Sequence, residues 1–121
     1  MIVKNLKDIQ SFIAGDKSIL KEILHPKNDD IKQDFSLAYA VVKVGEKTIP
    51  HRLKNSVEVY FILKGSGIMH IDKEKRRVNQ FDAIYIPPNS IQWIENIGNE
   101  DLEFICIVSP PWSKNNEEIL I

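Results

Sequence analysis

From residue 35 onward, apolar and polar positions in this 121-residue chain recur with a period of two. That is the spacing of a pleated strand, not of a helix. Residues 35–44, FSLAYAVVKV, form a strand with Leu37, Tyr39 and Val41 on one face. Residues 57–63 are β-branched or aromatic almost throughout, the pattern of a strand covered on both faces, with Glu58 as the one charged residue. Further strands are expected over 68–71, 77–78, 83–86, 91–96 and 102–108. Turns at Gly65-Ser66-Gly67, 72–75 and 99–101 separate them. Many short strands at close spacing predict an all-β sandwich or barrel.

The first 34 residues are less regular. NLKDIQSF reads as a strand running to a turn at Gly15-Asp16. Residues 18–24, SILKEIL, satisfy a short helix and a strand equally, and Pro26 ends either one. His25 falls in a loop that continues through the polar residues 27–34. Ser109-Pro110-Pro111-Trp112 breaks the last strand. The expected division is an N-terminal segment, 1–34, packing on a barrel core, 35–112, followed by a tail, 113–121.

Composition adds limits. A chain of this length makes a single soluble domain with one real core. A formal charge of −1 gives no electrostatic reason to expect nucleic acid or a membrane surface as partner. The basic stretch 73–77 includes Glu74 and reads as a solvated hairpin tip. No apolar run is long enough to span a membrane, and the N-terminus lacks a signal-like core. The single cysteine, Cys106, has no partner for an internal disulfide, which agrees with a reducing cytoplasm.

The candidate chemistry lies in residues 45–65, GEKTIPHRLKNSVEVYFILKG. A carboxylate buried within the apolar run at Glu58 needs a positive or hydrogen-bonding partner. His51 is the nearest in sequence, beyond a proline that keeps the chain extended. Five residues separate Gly45 from His51, one separates His51 from Leu53, four separate Leu53 from Glu58, and six separate Glu58 from Gly65. Downstream, Phe81, Pro87, Asn89, Gln92 and Asn96 follow at intervals of five, one, two and three, after a spacer of 15 residues. These intervals resemble the two signatures of the cupin superfamily, from Gly45 to Asn96. The resemblance implies a jelly-roll barrel of two facing antiparallel sheets, commonly paired as a homodimer. It also implies a divalent metal ion, Zn, Fe, Mn or Ni, held inside the barrel by His51, Glu58 and Gln92.

Two family positions differ. Leu53 stands where a second histidine would be, and Gln92 stands where the last would be. A glutamine carbonyl is a weak neutral ligand, and leucine contributes nothing to an ion. A blander reading therefore stands beside the metal. Gln92 is then an amide that orients His51 or contacts a ligand, and Glu58 is protonated or paired with His51 and Arg52. Tyr60 shares parity with Glu58 and is a candidate ligand contact. Trp93 and Trp112 are expected at the barrel mouth, Trp93 toward a ligand and Trp112 in a dimer contact. Cys106 reads as inert core, and His70 as exposed or at an interface. Asn89 replaces a turn glycine in a conformation asparagine tolerates, whereas Phe81 in a glycine position puts its turn's geometry in doubt. Asn96 is expected to satisfy backbone groups at a strand end. No nucleophile-base pair is visible. Two functions follow: a metal-dependent cupin acting on a small polar molecule, or a metal-free cupin that binds or senses one.

Overall fold

The computed structural model describes residues 1–121 and is built from β-strands, with two three-residue 3-10 turns and no α-helix. In chain order the strands are β1 (Phe12–Ile13), β2 (Ile19–Leu24), β3 (Ser36–Val42), β4 (His51–Leu53), β5 (Val57–Lys64) and β6 (Gly67–Ile71). They continue with β7 (Glu74–Val78), β8 (Ala83–Ile86), β9 (Gln92–Asn96), β10 (Leu102–Ser109) and β11 (Glu117–Ile119). Two sheets face each other, one ordered β1-β2-β3-β10-β5-β8 and the other β11-β4-β9-β6-β7. Every pairing is antiparallel. The expected jelly-roll barrel is the observed fold.

Neighbours in space settle what local pattern left open. SILKEIL becomes a strand because β3 offers it a free edge, pairing Ile19 with Val41 and Leu20 with Ala40. In the expected strand NLKDIQSF, Leu6–Asp8 instead turns as a 3-10 helix, capped by the Asn5 side chain on the Lys7 N–H. The hairpin after β6 is tighter than expected. Asp72, at φ 52°, turns the chain within two residues, and the basic stretch becomes exposed strand β7. The tail folds back as β11 on β4, pairing Ile119 with His51 and Glu117 with Leu53.

The core lies between the sheets, with Ile62, Ile94, Leu102 and Phe104 almost wholly buried. Each strand alternates, but parity alone does not say which face is inside. In β3 the small residues Ser36, Ala40 and Val42 point inward, which leaves Leu37, Tyr39 and Val41 on the outer face. In β5, Glu58, Tyr60 and Ile62 are buried, whereas Phe61 is exposed. Its outer face is therefore open within one chain, not covered as its composition suggested.

The family's turn positions keep their conformation despite substitution. Asn89 has φ 63° and Phe81 φ 72°, so both occupy the left-handed region that normally favours glycine. The Phe81 ring is exposed beside Phe61, their centroids 6.4 Å apart. Gly65 cannot be replaced so freely, because at φ 90° a Cβ there would lie 2.9 Å from the Asp101 carbonyl oxygen. Asn96 acts as expected at its strand end, donating to Val42 and Glu100 carbonyls and accepting from the Gly98 N–H.

Candidate functional site

Strand register brings the candidate residues together. In the first sheet, β3, β10, β5 and β8 align Ser36, Val108, Glu58 and Ile86 in one row, with Ala38, Cys106, Tyr60 and Ile84 in the next. In the second sheet, β4 and β9 pair His51 with Gln92. His51, Leu53, Glu58, Tyr60 and Gln92 all point into the barrel and are buried.

A hydrogen-bond chain then crosses from sheet to sheet. The Tyr60 hydroxyl donates to Gln92 Oε1 at 2.9 Å, and Gln92 Nε2 donates to Glu58 Oε1 at 2.9 Å. Burial pushes the Glu58 carboxyl up to about 8. The Gln92 bond opposes that shift, and the nearby Asp16 and Glu117 charges reinforce it. Glu58 is therefore largely protonated at neutral pH, and its partner is Gln92. Arg52 points to the opposite face of β4 and pairs with Glu118 at 2.8 Å, so it offers Glu58 nothing.

His51 Nδ1 donates to the Ile49 carbonyl at 2.7 Å. Its Nε2 is left facing Asp16 Oδ2, 3.6 Å away. Asp16 is held there by its turn: Oδ1 accepts from the Ser18 N–H and hydroxyl, and the Asp16 carbonyl accepts from the Ile49 N–H at 2.8 Å. Glu117 enters from β11, with Oε2 accepting from Trp112 Nε1 at 3.3 Å. Burial raises its carboxyl, with the Trp112 bond and the His51 ring acting against the shift. The Cys106 thiol is also pushed up by burial, which leaves no reactive thiolate.

Around these groups is a cavity of about 140 Å³, with Asp16, His51, Glu58 and Glu117 on its polar side. Leu20, Leu53, Phe104, Val108 and Trp112 supply much of its apolar wall, and no lysine or arginine lines it. Sequence reading missed Asp16 and Glu117, which belong to the N-terminal segment and the tail, outside both signatures. The only sequence signal was weak: Asp16 sits in a recognisable Gly-Asp turn.

Several expected placements change. Trp93, expected at a ligand, lies on the outer face of β9, because it alternates with inward Gln92 and Ile94. Its ring stacks on His70 at 4.2 Å. Trp112, expected in a dimer contact, lines the cavity. His25 does lie in a turn, yet it is buried with Nε2 2.7 Å from the Trp112 carbonyl oxygen. Tyr60 does line the cavity.

The residues present do not fit a resident divalent ion. No three histidine, cysteine, aspartate or glutamate side chains converge as a metal cage. Gln92 turns its carbonyl to Tyr60 and its amide NH2 to Glu58, so neither of its polar atoms is free. Leu53 is buried where a second imidazole would stand and contributes nothing to an ion. His51, Glu58 and Gln92 do meet in the barrel, but as members of a hydrogen-bonded interior.

Residues 38–108 match the family model of the cupin domain. An uncharacterized protein of Methanocaldococcus jannaschii is 46% identical over 121 residues, which cover 98% of this chain and 95% of that protein. An oxalate-binding protein of Thermotoga maritima is 26% identical over 89 residues, covering 72% of this chain and 74% of that protein. The crystal structure of a predicted oxalate decarboxylase, also from Thermotoga maritima, superposes with a TM-score of 0.79. It covers 89% of this chain and 98% of that one, at 20% identity, a likeness of fold. By sequence and by architecture alike, this chain belongs to the cupin superfamily.

Proposed function

We propose that this cupin binds a small polar molecule in the cavity bounded by Asp16, His51, Glu58 and Glu117, without a resident metal ion. The observation that carries the reading is the chain from Tyr60 through Gln92 to Glu58. It satisfies the barrel interior where metal-binding relatives would place an ion, and it leaves a partly open cavity with polar atoms along one side. A cavity of roughly 150 Å³ accepts a benzene-sized guest, so the volume suits a molecule of a few heavy atoms. The oxalate-binding relative supports a small ligand as the class. The buried, unbridged Cys106 suits work in a reducing cytoplasm, and no helix is long and apolar enough to cross a membrane.

The test is a thermal-shift screen of chelator-treated protein against small metabolites, repeated with Ala38→Phe, which fills the cavity from its β3 wall. Stabilising ligands are expected for the wild type and are expected to be lost in the variant. Ligands that stabilise both proteins equally lie outside the cavity and sink the proposal. One equivalent of Zn, Fe, Mn or Ni that survives dialysis and is lost in His51→Ala would restore the metal reading.

The proposed partner is a second copy of this chain. The outer face of the first sheet aligns Leu37, Ile107, Val59 and Tyr85 in one row, with Ile105 and Phe61 in the next. A sheet face that apolar is normally covered. Light scattering after gel filtration is expected to give twice the chain mass of 13.9 kDa, and Val59→Lys is expected to give a monomer. A wild-type monomer at micromolar concentration would refute the pairing.

A further inference from the structure

Resting on the reading of the cavity as a ligand site, we propose that its ligand is a small organic cation, a protonated amine carried on a short apolar body. The polar atoms facing the cavity are acceptors in excess. Asp16 uses Oδ1 on Ser18 and leaves Oδ2 toward the space. Glu58 uses Oε1 on Gln92; its Oε2 has no hydrogen-bond partner, although the residue is only 7% exposed, and it carries the proton of the neutral carboxyl until a bound cation displaces that proton and turns the oxygen into an acceptor. His51 spends Nδ1 on a backbone carbonyl, so in the neutral ring Nε2 is a further acceptor. Glu117 uses Oε2 on Trp112, leaving Oε1 packed against the turn at Gly15, beside Asp16.

An ammonium group carries three donors and no acceptor, the complement of this set. A carboxylate ligand brings only further acceptors and a charge of the wrong sign, with no lysine or arginine on the lining to receive it. Oxalate, the ligand named for the relative from Thermotoga maritima, is therefore the wrong chemistry for this cavity. Spacing separates an organic cation from a bare metal ion. Metal ligands must converge at roughly 2.0–2.6 Å from one point, and these side chains do not converge as such a set. Hydrogen bonds from an ammonium run longer, at about 2.7–2.9 Å, and diverge from the nitrogen, so separated acceptors can serve it. The apolar wall, with Phe104 and Trp112, accommodates the hydrocarbon body.

The experiment compares three molecules of one shape and different charge: n-butylammonium, butan-1-ol and butyrate. Each is titrated calorimetrically into the chelator-treated protein at neutral pH. Butylammonium is expected to bind at least about 10-fold more tightly than butanol, and butyrate more weakly than either. Glu117→Gln is expected to lower butylammonium affinity about 10-fold while leaving butanol unchanged. Asp16→Asn, which keeps the acceptor for Ser18, serves as a second variant, and thermal melting confirms that both are folded. Butyrate binding as tightly as butylammonium, equal binding of all three, or no detectable binding of butylammonium overturns the inference. If butanol or butyrate still binds and Ala38→Phe abolishes it, only the charge class fails. If nothing binds and the metabolite screen is also empty, the binding function fails with it.

Discussion

Glu58→Gln is expected to stabilise the protein by about 3 kcal/mol near pH 8 and to remove most of its loss of stability between about pH 5 and pH 8. The cause is a carboxyl held at about 8 by burial, against an ordinary value of 4.5. Between those two values the folded state keeps a proton that the unfolded chain has released. Stability therefore falls as pH rises, by up to about 1.4 kcal/mol for each pH unit. The contribution is complete below the unfolded value and gone once pH has passed the folded one. Glutamine keeps the oxygen that accepts from Gln92, carries no charge, and has nothing to titrate. In thermal melts the wild type should lose roughly 10 °C across that range, and the variant much less. Glu117, also raised by burial, contributes a residual slope of the same sign. Destabilisation of the variant by more than about 1 kcal/mol near pH 8, or a flat wild-type profile, would show that Glu58 is ionised and well compensated.

Gln92→Leu acts on the same chain in the opposite direction. Leucine has nearly the right volume but removes both hydrogen bonds that join the sheets, leaving the Tyr60 hydroxyl and Glu58 Oε1 buried and unpaired. Each orphaned group costs about 1–3 kcal/mol, and the expected loss in urea unfolding is about 3 kcal/mol. The cause can be separated from simple loss of packing. In a Tyr60→Phe background one orphan is already absent, so the same substitution should cost about 1 kcal/mol less. A cost below about 1 kcal/mol in the wild-type background would mean that the bonds contribute little. An unchanged cost in the Tyr60→Phe background would mean that the Tyr60–Gln92 bond itself contributes nothing.

Sequence reading and structure part at identifiable residues. Strands β3, β5, β6, β8, β9 and β10 were legible because each is a short, largely apolar run bounded by turn residues, whereas most of β7 is charged and reads as a turn. The intervals among Gly45, His51, Glu58 and Gly65, with those from Phe81 to Asn96, placed His51, Glu58 and Gln92 in one interior. Those intervals reflect the register that sets His51 opposite Gln92. Even the awkward substitution at Phe81 preserved its turn, because an exposed ring at positive φ imposes only a local strain. Asp16 and Glu117 were not legible. They reach the site through pairings with residues far along the chain, Asp16 by accepting from Ile49 and Glu117 by pairing with Leu53. No local period encodes such contacts.

The sequence by itself determined the all-β class, most strand positions in the barrel core, the family, and three of the polar residues inside, His51, Glu58 and Gln92. Local alternation and turn chemistry suffice for these, because each depends on neighbours within a few positions. Tertiary structure alone decided which parity of each strand faces inward, sending Trp93 outside and Trp112 to the cavity. It also decided how the buried polar groups are satisfied. Facing strands put Gln92 within 2.9 Å of both Glu58 and Tyr60, and the two ends of the chain bring in Asp16 and Glu117. Whether a buried carboxyl ligates an ion or holds a proton depends on atoms a few ångströms away in space, and those atoms come from strands distant in the chain.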